Sequence, residues 1–133
     1  IFAEKLLNGQ HPTLNHFPDE KRGMIRDYRF VKDIARASIL ATESQKVGIF
    51  NIGTGKGTHT IDLYRETIIA LRNNGTIIPQ AFDEPRRDVA RAGDIRVSTL
   101  DPTKAKRDLD WEAAYDLAGG LLETIQWYSG HAA

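Results

Sequence analysis

The sequence has no cysteine, which excludes disulfides and thiolate metal sites and leaves the redox compartment open. It has no net charge: 18 lysines and arginines balance 18 aspartates and glutamates, so no global field draws it to nucleic acid or an anionic membrane. It has no apolar run near the ~20 residues that span a bilayer, and no signal-peptide pattern at its start. These absences lead us to expect a cytoplasmic globular protein with neither nucleic acid nor membrane as partner. There is also no helix N-cap before the opening Ile1-Phe2-Ala3-Glu4-Lys5-Leu6-Leu7, and the lone methionine is Met24. A chain that opens inside a helix reads as a piece of a larger protein.

What is present is ordinary in bulk. At 133 residues, 41% hydrophobic and 27% charged, the chain suffices for one modest domain with a single core. Hydrophobic spacing predicts helices over 31–43 (stripe Val31, Ile34, Ala35, Ile39), 60–73 (Ile61, Tyr64, Ile68, Leu71) and 117–128 (Leu117, Leu121, Leu122, Ile125, Tyr128). A short helix over 102–109 is opened by Pro102 with Asp101 as its cap. The apolar run Val47–Ile52 suits a buried strand, and 76–82, broken by Pro79, an edge strand. Residues 24–30 suit a short strand and 15–25 a polar loop. We find no internal repeat and no low-complexity segment.

Several segments invite chemistry. Gly53-Thr54-Gly55-Lys56-Gly57-Thr58 looks like a phosphate loop, since a glycine turn entering a helix offers N–H groups to an anion. The pattern fails: Gly57 stands where a Walker loop needs Ser or Thr, Phe50 where it needs glycine, and Thr58 where a dinucleotide fingerprint needs its third glycine. Arg86, Arg87, Arg91 and Arg96 form a basic stretch, but Asp83, Glu84, Asp88 and Asp94 interrupt it and no aromatics interleave, against a nucleic-acid site. His11, His16, His59 and His131 lack metal spacing. Tyr28 and Lys32 have the Tyr-x-x-x-Lys spacing but straddle the entry to a helix, where one-turn geometry is not assured. Taken alone, Arg26-Asp27 reads as a local surface ion pair. In Arg91-Ala92-Gly93-Asp94 a guanidinium and a carboxylate lie three residues apart across a glycine. That spacing suits an anion held by the arginine and hydroxyls held by the aspartate.

Three separated segments together resemble one family. Arg26-Asp27-Tyr28-Arg29-Phe30-Val31-Lys32-Asp33-Ile34-Ala35, Phe50-Asn51-Ile52-Gly53-Thr54-Gly55, and Arg91-Ala92-Gly93-Asp94 with Asp101-Pro102-Thr103-Lys104-Ala105 and Leu109-Asp110-Trp111 stand in the right order. They are similar to the extended short-chain dehydrogenases that act on nucleotide sugars, nearest to the UDP-glucose 4-epimerases and related epimerase/dehydratases. The resemblance spans nearly the whole chain.

It implies an α/β fold, with residues 1–133 forming the C-terminal nucleotide-sugar-binding portion of such an enzyme. That portion would combine helices with short strands and lack the N-terminal Rossmann core. Arg26 and Arg91 would grip the diphosphate of a nucleotide diphosphate sugar, Asp94 would take the ribose hydroxyls, Tyr28 would line the nucleotide pocket, and Thr60 would stand where the epimerases place an apolar contact to the nucleotide. Asp33 would be a structural hydrogen-bonding residue, and Arg86-Arg87-Asp88, out of register with Asp101, would be loop. The cofactor fingerprint and the Ser/Thr with Tyr-x-x-x-Lys belong to the half that precedes Ile1. The complete enzyme would thus use NAD, while this chain alone would bind no NAD and catalyse nothing. The segment of about 24–75 would pack on the missing Rossmann half, and we expect a homodimer. The sequence departs from the family pattern at Asp110 (usually glycine), at Ser98 (often tyrosine in 4-epimerases) and in the loop 15–25. The competing expectation is a non-catalytic orphan domain that binds a nucleotide or a protein partner.

Overall fold

A computed structural model describes residues 1–131 of the chain. It is α/β, with helices α1 (Phe2–Leu7), α2 (Val31–Glu43), α3 (Thr60–Asn73), α4 (Thr103–Leu109) and α5 (Leu117–His131). The strands are short: β1 (Thr13–His16), β2 (Ile25–Arg26), β3 (Thr58–His59), β4 (Arg86–Val89) and β5 (Val97–Ser98). They form two small sheets. β1 pairs in parallel with β4, and β2 lies between antiparallel β3 and parallel β5. Among the described residues no helix is long and apolar enough to cross a membrane.

Helix α3 forms where its 3.6-residue stripe predicts, burying Ile61, Tyr64, Ile68 and Leu71. No side chain caps it. Its first N–H groups go to loop carbonyls instead: Thr60 N to Met24 O (2.9 Å) and Ile61 N to Arg22 O (3.0 Å). The start of α3 is therefore pinned beside β2. This core is completed by Leu6, Leu14, Ile78 and Ile125, with Phe2 edge-on to Tyr64. On α5, Ile125 is buried and Leu121 packs on the core, whereas Leu122 and Tyr128 remain more than a third exposed.

A second core joins Ala37, Ala105, Leu109 and Trp111. It is stapled by Asp33, which is buried as expected for a structural residue and accepts hydrogen bonds from Ala114 N (2.9 Å), Tyr115 N (3.1 Å) and Arg36 Nη2 (3.1 Å). The Asp33 carbonyl accepts from Trp111 Nε1 (3.1 Å). Helix α4 begins at Thr103 with Pro102, not Asp101, at its N-cap and no side-chain cap; Asp101 stands one residue further out and accepts from Thr103 N (2.9 Å). The departure at Asp110 has a physical reading. This residue ends α4 at φ 52° and ψ 37°, the left-handed region that glycine fills most readily and aspartate tolerates.

Several local expectations fail. Val47–Ile52 is not a strand: it has no ladder partner among the described residues, and Val47 and Ile49 are 99% and 87% exposed. Composition fits a strand, but hydrogen-bonded pairing makes one. Residues 76–82 give a 3₁₀ turn (Gln80–Phe82) after Pro79, whose ring removes a ladder donor. Arg86-Arg87-Asp88 is not loop but most of β4, paired with Thr13, Leu14 and Asn15. Finally, the α2 stripe faces outward. Val31, Ile34 and Ile39 are exposed, and the buried face is Asp33 and Ala37.

Candidate functional site

Strand β2 and its two neighbours gather the residues singled out in the sequence. β2 ends at Arg26 and runs on to Tyr28; β3 leads straight into Thr60; β5 follows the turn of Arg91 to Asp94. Ladder bonds from Ile25 N to Arg96 O (2.8 Å) and Asp27 N to Ser98 O (3.1 Å) hold the two arginine-bearing segments side by side. The result is a cleft of about 870 Å³ lined by Arg26, Tyr28, Thr60, Arg91 and Asp94 together. β1 and β4 add Asn15 and Asp88, which the loop assignment for 86–88 had kept away from the site.

The electrostatics of this cleft are uneven in a useful way. Among the described residues, every arginine except Arg26, Arg86 and Arg91 has a carboxylate within ion-pair distance. Two of these three exceptions line the same cleft. Among the described residues the Arg26 guanidinium donates to the neighbouring Ile25 carbonyl alone (Nη1, 2.8 Å), so most of its five donors remain for another acceptor. Arg91 and Asp94 close a turn on each other. Asp94 N donates to Arg91 O (3.1 Å) and Arg91 N to Asp94 Oδ2 (2.8 Å). Gly93 sits at φ 88°, which is why glycine stands there. The turn engages one carboxylate oxygen and leaves the other and the Arg91 guanidinium to the cleft.

Tyr28 is half-buried at the foot of the cleft. Burial pushes its phenol above the ordinary value, partly offset by a hydrogen bond with Thr60 and by the charge of Arg26, so it is a neutral hydroxyl at physiological pH. Thr60 Oγ1 also donates to Met24 O (3.0 Å). Lys32, four residues after Tyr28, forms an ion pair with Glu123 and lies over the Phe30 ring. A smaller cleft of about 570 Å³ adjoins, lined by Tyr28, Thr54, Lys56 and Lys106. Its Lys106 is already paired with Glu112. Among the described residues no group of three His, Asp or Glu could hold a metal ion.

The glycine turn 53–57 does bind an anion, but one supplied by the chain itself. Asp27 accepts from Thr54 N (3.2 Å), Thr54 Oγ1 (2.6 Å) and Gly55 N (3.1 Å). A Cβ on Gly53 would stand 2.6 Å from Leu100 Cβ, so no side chain fits. With these N–H groups taken, the turn does not fit the diphosphate of a dinucleotide. Sequence reasoning missed Asp27, reading it as the surface partner of Arg26. Its salt bridge is with Arg29 (2.7 Å), and both side chains are buried. The available signal was the joint occurrence of Arg-Asp-aromatic and a Thr-Gly turn.

Comparison with known proteins follows the same lines. The family described as GDP-mannose 4,6 dehydratase matches residues 3–124. The UDP-glucose 4-epimerase of Mycolicibacterium smegmatis is 38% identical over 129 residues, 96% of this chain and 37% of that protein. The Bacillus subtilis UDP-glucose 4-epimerase is 30% identical over 121 residues, 88% of this chain and 33% of that protein. Among solved structures, the Thermotoga maritima UDP-glucose 4-epimerase with UDP-glucose superposes with a TM-score of 0.75 at 34% identity, over 99% of this chain and 39% of that one. The Thermus thermophilus UDP-glucose 4-epimerase in complex with NAD gives 0.73 at 31% identity, over 98% and 39%. This chain thus spans well under half the length of the relatives it matches.

Proposed function

The chain belongs to the NAD-dependent epimerase/dehydratase family, and we propose that its larger cleft binds the nucleotide diphosphate part of a nucleotide sugar. The observation that carries this is that Arg26 and Arg91, which have no carboxylate partner among the described residues, lie on one cleft in a chain whose other arginines, Arg86 apart, are paired. Two guanidinium forks match a diphosphate in charge and in donor geometry. Asp94 offers a carboxylate oxygen to ribose hydroxyls, and the buried edge of Tyr28 with Thr60 forms the apolar and hydroxyl floor.

In this reading the chain supplies binding and orientation. NAD, with the hydride and proton transfers of the epimerase/dehydratase reaction, belongs to residues outside these 133, and the Gly53–Gly57 turn offers no alternative place for it. The exposed apolar faces support docking of the remaining half of the enzyme over Val31, Ile34 and Ile39 of α2 and over Val47 and Ile49.

Isothermal titration with UDP, GDP and dTDP tests the cleft. One of these diphosphates binds to the wild-type chain, and Arg26→Ala and Arg91→Ala each weaken it about tenfold or more, the scale of a charge-assisted bidentate contact. Binding of none of the three, or variants that bind as tightly as wild type, overturns the assignment.

A further inference from the structure

The buried pair Asp27–Arg29 has no place among the ligand-contacting groups, although it lies between and beside Arg26 and Tyr28. The Asp27 side chain is 2% exposed and that of Arg29 8%, so neither reaches a ligand in the cleft. Yet Asp27 gathers donors from three segments of chain. Oδ1 takes Thr54 N and Oγ1 and the Arg29 guanidinium; Oδ2 takes Gly55 N (3.1 Å) and Leu100 N (3.3 Å). The donors fill the carboxylate's acceptor capacity of about four lone-pair sites. Arg29 in turn anchors to Ile52 O (2.9 Å).

The segments so joined are those that carry the cleft. Gly55 leads through β3 to Thr60, and Leu100 lies just past β5, which follows Arg91 and Asp94. β2 meets each neighbour over two residues only. Ladders so short fix register weakly, and Asp27 ties off both of them one residue beyond Arg26. Because β2 bears Arg26 and β5 is continuous with the Arg91 turn, the separation of the two guanidinium groups depends on this knot.

We propose that Asp27 is a positioning residue that sets the spacing of Arg26 and Arg91, and thereby the preference of the cleft for a diphosphate over a monophosphate. The proposal rests on the nucleotide-diphosphate reading of the cleft. Asparagine at this position presents an N–H₂ group where only donors converge, so it cannot hold both flanking segments.

The test compares UDP with UMP by isothermal titration, with thermal melts alongside. In Asp27→Asn the preference for UDP over UMP falls about tenfold, the weight of one charge-assisted contact, while UMP affinity changes far less. Thr54→Ala, which removes one donor to Asp27, shifts the ratio the same way by a smaller factor, and Thr54→Ser restores it. Should Asp27→Asn fail to fold, the Thr54 pair decides. An unchanged UDP/UMP ratio in the folded variants, or equal loss of both ligands in step with the melting temperature, overturns the positioning role and leaves Asp27 a stabilising residue. A wild-type chain that binds no UDP overturns the cleft reading first, and this inference with it.

Discussion

Replacing Asp33 isolates the cost of one buried carboxylate. Asp33→Ala strips the acceptor from Ala114 N and Tyr115 N at the junction of α2 with the segment after α4. Both contacts are part-buried and Ala114 itself is exposed, so each N–H that loses its charged acceptor costs about 1–2 kcal/mol, short of the full buried penalty. The Arg36 contact adds at most ~1 kcal/mol because that guanidinium is 40% exposed. The sum is about 2–5 kcal/mol, a large part of the ~5–15 kcal/mol that holds a domain together. Asp33→Asn keeps one acceptor and loses about half as much.

The acid limb gives a second readout. Burial pushes the Asp33 carboxyl up, but hydrogen bonds from Ala114, Tyr115 and Arg36 outweigh it and hold it below the ordinary carboxylate value. A depressed folded value means that the stabilisation is complete above the unfolded value of ~3.9 and is lost as pH falls through the folded one. Urea unfolding followed by tryptophan fluorescence measures both effects, since buried Trp111 donates to the Asp33 carbonyl. The gap between wild type and Asp33→Ala is therefore wide at neutral pH and closes in acid. A cost under ~1 kcal/mol at neutral pH, or a gap that ignores acid, refutes the staple.

Two further substitutions probe other parts of the molecule. Gly93→Ala forces a Cβ into a left-handed turn with no neighbour to clash against; the strain of about 1–2 kcal/mol is expected to lower the thermal midpoint by several degrees and to weaken UDP binding in titration. Tyr64→Phe removes the hydrogen bond from its hydroxyl to Phe82 O (2.6 Å) in the fully buried core; the expected loss in urea unfolding is about 1–3 kcal/mol, because the Phe82 carbonyl loses its partner.

Legibility in the sequence followed the range of the forces involved. Helix α3 could be read because its stripe and its Asn74-Gly75 stop are local. The α2 stripe could be found too, but periodicity gives a face and not what the face meets, and Val31, Ile34 and Ile39 lie open. Strand β4 could not be read. All four of its residues are exposed, and only the ladder to β1 makes them a strand. Val47–Ile52 is the converse, with strand composition and no partner. In the cleft, the five candidate residues came from the family resemblance and do meet on one wall. Asp27 stayed hidden because its partners, Thr54, Gly55 and Leu100, are distant in sequence.

The wiring of β2 also dictates an order of events during synthesis. Ile25 leaves the ribosome well before its partner Val97, and Thr13 likewise waits for Arg86. Until β4 and β5 have emerged, the Arg26 segment has one neighbour, β3, and no Arg91 to work with. Closing such long loops precedes any reward from the contacts they bring, which places folding in the slower, non-local class. A nascent chain stalled before β5 would carry a formed α3 and an incomplete Arg26–Arg91 cleft, with β2 unpaired along its β5 edge and available to another strand.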